Sequence, residues 1–445
     1  MADLLSIGAS GVRAYSQALS TVSDNIANSQ TAGYVRRTTQ LSEAVGGGDV
    51  IFYRNTVHPG GSVATGVSRG VDEWLVQDSR NAGADAGRAS ALSQWLQVGE
   101  NALDDGDNGV GASVTAVFNA ADRLGASPGD TTLRAAFLQA VDTSAAAFRQ
   151  AANQLASASN GVATAAQGAV TQVNDDLAAL QKVNQSLLRA RDGSTNQAAL
   201  LDERDRLVDS ISSHLGVSAS FGDRGEVTLN VSGTGGATLL SGSTIATVSA
   251  TVAADGTLSY STSTGGAFNP ATGTLAGLSQ SAAALSARRQ GLDSLANDYA
   301  ASLNAQHQAG VDAQGNAGAA LLDTGVGGAA NLTAIALATN QVAAADGSGA
   351  NGNMLAFAGL RGTGGVEANW AAMVSAHAQA TASARAQDSA ATSRNNGASE
   401  ARSHASGIDL DREAADLLRY QQAYQAAAKT IQVARETMQT IFNIF

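Results

Sequence analysis

Apolar residues recur at alternating steps of three and four at both extremes of the chain. Leu5, Gly8, Val12, Tyr15, Leu19, Val22 and Ile26 form one stripe; Leu417, Tyr420, Tyr424, Ala427, Ile431, Ala434, Met438, Ile441 and Phe445 form the other. This is the a/d spacing of a coiled coil. It predicts amphipathic helices over 3–28 and about 407–445, whose stripes need each other, further copies of the protein, or both. Such spacing is more often an ordinary buried helix face than an assembly seam. Here the second stripe spans four heptads, from 417 to 445, longer than an average core helix.

Between the stripes the pattern changes several times. Asn and Gly in NIANSQTAG, Asn25 to Gly33, close the first helix. Residues 34–70 read as irregular or weakly extended, broken at Gly46-Gly47-Gly48 and Pro59-Gly60-Gly61. A helix over 71–97 carries Trp74 and Trp95 as packing anchors; a loop follows from Asp104, and another helix covers 111–124. From Thr131 to Arg191 only Gly161 and Gly168 interrupt, which predicts one or two long helices, followed by a helix over 195–214. Val217 to Gly277 is rich in Gly, Ser, Thr and Val. Its alternation at Val227, Leu229 and Val231, with turn signals at Gly222–Gly225 and Asp255-Gly256, predicts a small β module. Helices are expected again over 278–308 and 367–395, separated by a Gly- and Ala-rich stretch of loop and short strand, 310–365. The fold class is therefore mainly α with a small β insertion, nested so that both ends of the chain lie on the same side of the insertion.

Composition narrows the function. At 445 residues there is room for two or three domains, and three prolines permit long helices. The absence of cysteine removes disulfides, thiolate catalysis and Cys-ligated zinc together. A net charge of −12 with only two lysines, Lys182 and Lys429, disfavours nucleic-acid binding; the Arg36-Arg37 pair is too small a basic footprint. No apolar run approaches the roughly 20 residues of a membrane span, so no membrane insertion is expected. MADLLSIGAS lacks the basic and apolar regions of a secretory signal. The expectation is a soluble protein, either cytoplasmic or exported by a route that needs no such signal.

Candidate chemistry is sparse. Gly66-Val67-Ser68-Arg69-Gly70 matches the G-x-S-x-G nucleophile elbow, but GGSVAT before it is a poor strand and the chain lacks βαβ rhythm. Of His58, His214, His307, His377 and His404, none falls in a metal-binding spacing, and each reads as a surface or packing residue. DDGDNG misses the ligand order of a calcium loop. Neither lysine follows a glycine, so no phosphate loop is present. No catalytic residue, metal site or cofactor is expected.

The terminal segments carry a resemblance. NIANSQTAGYVRR, Asn25 to Arg37, resembles the N-terminal signature of flagellar rod, hook and hook-associated proteins, and LLRYQQAYQA, Leu417 to Ala426, is similar to the core of the matching C-terminal end. LLDERDRLVDSISSHLGVS from Leu200, SLNAQHQAGVDAQGNAG from Ser302 and GVSRGVDEWLVQDSR from Gly66 are similar to stretches of the hook-associated protein 1 family. Ala32 stands where that family usually has proline, and the chain is short, as if an outer domain were reduced or missing.

The resemblance implies a non-enzymatic axial subunit of the bacterial flagellum at the hook–filament junction. It would be exported through the flagellar type III apparatus without a cleaved signal and be extracellular once assembled. It implies an inner coiled-coil domain (1–45 with 400–445), a helical bundle (46–215 with 278–399) and an outer β domain (216–277). The implied assembly interface is Leu5, Val12, Tyr15, Leu19, Val22, Ile26, Asn28, Gly33 and Tyr34 with Leu417, Tyr420, Tyr424, Ile431, Met438, Ile441 and Phe445. Implied partners are the hook protein, the filament-side junction protein, copies of the chain in a ring, and an export chaperone on Leu417, Tyr424, Ile431 and Met438. A sister axial subunit of the hook, rod or filament side is the alternative; a hydrolase built on Ser68 and a signalling coiled coil are more distant competitors.

Overall fold

The computed structural model describes residues 2–31, 33–44, 60–103, 106–232 and 236–443. Ala32, Asp104, Asp105, Phe445, His58 and the Gly46–Gly48 and Pro59 breakers lie outside them. Helix α1 is Ala2–Ala27, followed by strands β1, Arg37–Glu43, and β2, Ser62–Arg69. Helices α2, Glu73–Ala102, α3, Val110–Ala126, α4, Thr131–Leu187, and α5, Thr195–His214, come next. The β module holds β3, Val217–Phe221, β4, Val227–Val231, β5, Thr238–Ser241, β6, Thr244–Ile245, β7, Val248–Val252, β8, Leu258–Thr262, and β9, Gly266–Phe268. Then follow α6, Thr274–Gln308, β10, Leu322–Asp323, β11, Thr333–Ala334, α7, Gly352–Ala356, α8, Val366–Ser406, and α9, Leu410–Phe442.

Helix starts are set locally. Asp72, Asp130 and Asp409 each accept two backbone N–H bonds in the first turns of α2, α4 and α9. The 57 residues of α4 form one unbroken helix, about 85 Å long at 1.5 Å per residue. Phe137, Val141, Phe148, Leu155, Val162, Val173, Leu177 and Leu180 line its buried face, against which α3, α5 and α6 pack. Gly161 survives mid-helix because the Trp95 indole lies against it: an added Cβ would sit 2.5 Å from that ring.

The β module forms two antiparallel sheets, β3-β4-β5-β6 and β7-β8-β9. Its turns fall at the expected glycines, with Gly225 at φ +85 and Gly256 at φ +88. Two asparagines of α4 dock the sheets. Asn184 bonds both N–H and C=O of Val227 (3.0 and 2.8 Å), and Asn174 does the same for Val248 (2.9 Å each). Each amide replaces a neighbouring strand at that point. Tyr260, Phe268, Leu229 and Leu240 join the same apolar core as Leu177 and Leu285.

Four expectations need correction. Residues 34–70, expected to be irregular or weakly extended, hold a regular hairpin: β1 pairs antiparallel with β2 from Arg37↔Arg69 to Glu43↔Ser62, with a bulge at Gln40/Leu41. Consequently the segment before Ser68 is a true strand. Trp95 packs as expected, but Trp74 is 71% exposed; the first turns of α2 bury Val76 and Arg80 instead. Helix α8 does not stop at 395. It runs through Asn395-Asn396-Gly397 to Ser406, because Trp370, His377, Ala384, Ala391 and Ala398, seven apart, form a buried row along α8, which packs against α2. Tertiary burial here overrides poor helix formers.

Buried histidines make stability pH-dependent. His307 is fully buried, and its Nε2 accepts the Ala343 N–H (2.9 Å), so Nδ1 carries the proton and donates to the Ala319 carbonyl (2.6 Å). Burial pushes the pKa of His307, His377 and His214 below the ordinary histidine value. The unfolded chain therefore binds protons first as pH falls below about 6.5, and stability is lost from there downward. Urea midpoints should be level above that pH and decline below it. A midpoint unchanged between pH 7.5 and 5.5 would contradict this.

Candidate functional site

Helix α1 runs beside α9 and also touches β1 and β2. The approach to α9 is close at two glycines. A Cβ on Gly8 would meet Ile431 Cγ1 at 2.6 Å, and one on Gly11 would meet Ala427 Cβ at 3.1 Å. Ala14, Ala18, Thr21, Val22 and Asn25 continue the buried line on α1. Leu5, Val12, Tyr15 and Leu19 are half-buried and Ile26 is exposed. On α9 only Glu413 and Ala434 are buried among the described side chains. Leu417, Tyr420, Ala427, Ile431 and Met438 are half-buried, while Tyr424, Ile441, Leu418 and Val433 are exposed. The single chain thus leaves much of the apolar surface of α9 uncovered.

At the far end of this helix pair lies a polar clasp. Asn25, fully buried, makes four hydrogen bonds. Its Nδ2 donates to the Arg37 carbonyl (2.8 Å) and to Glu413 Oε2 (2.9 Å); its Oδ1 accepts from the Arg37 N–H (3.0 Å) and the Tyr34 hydroxyl (3.1 Å). The buried Glu413 carboxylate also receives Arg36 Nε at 2.6 Å, and Arg36 reaches Asp416 at 3.1 Å. Asn28 bonds the Asp24 carbonyl and accepts from Thr31, finishing α1. Gly33 turns the chain at φ +81, and the Arg37 guanidinium stacks 4.5 Å over the Tyr34 ring. The signature residues therefore bind the end of α1 to the start of α9.

The clasp continues into the body through α5. Asp202, Asp205 and Asp209, at i, i+3 and i+7, share one helix face. Asp202 binds Arg37 (2.7 Å) and Arg69 (2.8 Å); Asp205 binds Arg69 (2.8 Å), Arg80 (3.2 Å) and Arg204 (2.7 Å); Asp209 binds Arg80 (2.6 Å) and Arg402 (2.7 Å). The neighbouring arginines overcome burial at Asp205 and hold its carboxyl below the ordinary value. At Asp202 burial wins and the pKa is raised. Every carboxylate of this row is held by guanidinium, so the arrangement is suited to fixing the β1–β2 hairpin, α2, α5 and α8 to one another rather than to moving protons. None of Asp202, Asp205, Asp209, Arg69, Arg80 or Glu413 stood out individually in the sequence. The one available signal was the i, i+3, i+7 acidic spacing.

Ser68 lies within β2, not on a strand-to-helix turn, and its Oγ donates to the Thr38 carbonyl at 3.4 Å. Among the described residues no group of three or more His, Asp and Glu is placed to hold a metal, and no helix is long and apolar enough to cross a membrane.

The family model for the flagellar hook-associated protein FlgK helical domain matches residues 96–322. The C-terminal model of flagellar basal body rod FlgEFG proteins matches 402–444, and the flagella basal body rod protein model matches 5–34. Flagellar hook-associated protein 1 of Salmonella typhimurium is 28% identical over 341 residues, covering 72% of this chain and 59% of the relative. That of Escherichia coli is 27% identical over 335 residues with the same coverages, and that of Bacillus subtilis 24% over 214, covering 47% and 42%. The chain thus spans 59% of the length of the enterobacterial relatives. The solved hook junction protein FlgK of Burkholderia pseudomallei aligns with a TM-score of 0.48 at 22% identity, over 55% of this chain and 47% of that one.

Proposed function

Because this chain belongs to the family of the flagellar hook-associated protein FlgK, we propose that it is the structural subunit joining hook to filament, exported by the flagellar type III apparatus and assembled at the hook tip. The observation that carries this reading is the half-covered stripe of α9, fixed to the body by the clasp: an assembly surface held in place and awaiting partners. Each Leu, Ile or Met buried there on assembly contributes up to about 1.5–3 kcal/mol. In this reading α1 and α9 form an inner coiled coil, residues 46–215 with 278–399 the helical bundle, and 216–277 the outer β domain. Copies of the chain would close a ring between the hook protein and the filament-side junction protein. Before assembly, an export chaperone would cover Leu417, Tyr424, Ile431 and Met438.

Antibody labelling of intact flagella should mark a narrow band where hook meets filament. Labelling along the whole hook or filament would overturn the junction reading in favour of a sister axial subunit. Ile431→Asp, which places a charge where α9 meets Gly8, should abolish filament attachment while leaving the helical body folded by circular dichroism. Normal filament growth by that variant in a deletion strain would remove the role given to α9.

A further inference from the structure

Trp74 is the largest exposed apolar side chain among the described residues, at 71%. It stands in the first turn of α2, between Asp72, Glu73 and Asp78. Among the described residues most of the side chain is left uncovered. A largely exposed tryptophan is an uncommon surface residue and a frequent anchor of interfaces.

The same helix carries a matching receptacle at its other end. A groove of about 870 Å³ runs between α2 and α4, floored by Trp95, Val98, Ala146, Ala158 and Gly161, with Arg149 at its edge. Small residues on α4 keep it open: Ala146 is exposed, and Gly161 lets the Trp95 ring lie down against the helix. The lining holds no carboxylate and includes one guanidinium, whereas the turn bearing Trp74 is acidic. Knob and groove are thus complementary in charge. Trp74 and Trp95 are separated by 21 positions, about 32 Å along the helix and roughly on the same side of it.

We propose that Trp74 of one copy of this chain seats in the α2–α4 groove of the next. Two different patches are involved, so the contact is heterologous and repeats from copy to copy, closing a ring or continuing a helix. The acidic turn meets the Arg149 edge, and the indole covers the exposed face of Trp95 with an offset aromatic contact. The contact rests on the reading of the chain as a subunit that assembles with copies of itself, and adds to it a second, outer seam on the helical body.

The chain has no cysteine, which allows a clean test. Trp74→Cys and Ala146→Cys variants are co-produced in a strain lacking the native chain, and sheared flagella are treated with copper phenanthroline. A disulfide-linked dimer joining positions 74 and 146, identified by mass spectrometry and dominating over the 74–74 and 146–146 products, is the expected result. Protein present in the flagella but giving only symmetric products, or none, overturns this contact and leaves the junction reading standing. Absence of the native chain, produced in a parallel strain, from the flagella overturns both. As a second arm, Ala146→Trp fills the groove on an exposed helix face; it should reduce junction occupancy as Trp74→Ala does, while Trp74→Phe retains it. Equal occupancy by all three would also overturn the contact.

Discussion

Replacing Asp205 by alanine lowers the stability of the helical body by roughly 3–5 kcal/mol, the range for removing one partner of a buried ion pair. Three guanidiniums converge on this carboxylate, and their side chains are 4–10% exposed. Two have second partners, Arg69 at Asp202 and Arg80 at Asp209. Among the described residues Arg204 has none of opposite charge and keeps the Gly225 carbonyl and the Phe221 ring. Its charge is then buried without compensation, and burial already depresses its pKa. Removing both Asp205 and Arg204, the latter as leucine, should cost less than the sum of the single changes, since the stranded charge goes with its partner. Urea unfolding of the four forms measures this; a loss below about 1 kcal/mol in Asp205→Ala would mean that solvent screens the cluster as it does a surface pair.

Asn25→Asp loosens the end of α1 from the start of α9 at neutral pH and lets it return in acid. The substitution keeps the shape of the side chain but turns the donor facing Glu413 Oε2, 2.9 Å away, into a second carboxylate. Two carboxylates at that distance in a buried site cannot both be ionised, so one takes a raised pKa in the docked state. The docked state then binds more protons than the released one above about pH 3.9, and docking weakens as pH rises through that range. The Arg37 carbonyl also loses its donor at neutral pH, at roughly 1–3 kcal/mol for an unpaired buried group. Hydrogen exchange in α1 should rise at least about tenfold at pH 7, the equivalent of 1.4 kcal/mol, with α4 unchanged. Equal protection of α1 in the native and variant chains at pH 7 would show that Asn25 is not what fastens the pair.

Much of the layout was legible because it follows from short-range periodicity. The stripe of α4 has only Gly161 and Gly168 against it, and the β module announced itself through alternation at Val227, Leu229 and Val231 and glycines at its turns. The hairpin of β1 and β2 was hidden because its strands are joined by residues 44–61 rather than by a short turn, and hairpin signals depend on short loops. The continuation of α8 depends on a row of alanines against α2, which local propensity at Asn395-Asn396-Gly397 cannot reveal. Within the site, the N-terminal signature was recognisable as a string, but the central role of Asn25 depends on Glu413, which nothing in the local sequence links to it. The carboxylate row of α5 was likewise visible only as spacing; its arginine partners come from β1, β2, α2, α5 and α8.

The hydrogen bond from Asn25 to Glu413 joins residues 388 positions apart. Ring closure of that length costs only modestly more than a much shorter one, because the entropy grows with the logarithm of the loop. Its effect on timing is larger. Contacts distant in sequence form after local ones, so α4 and its neighbours take shape while α1 still lacks the strand of chain that completes it. The order expected on folding is thus body first and clasp last, with opening in reverse. The ends of the chain are the part most readily kept apart while the rest is already built.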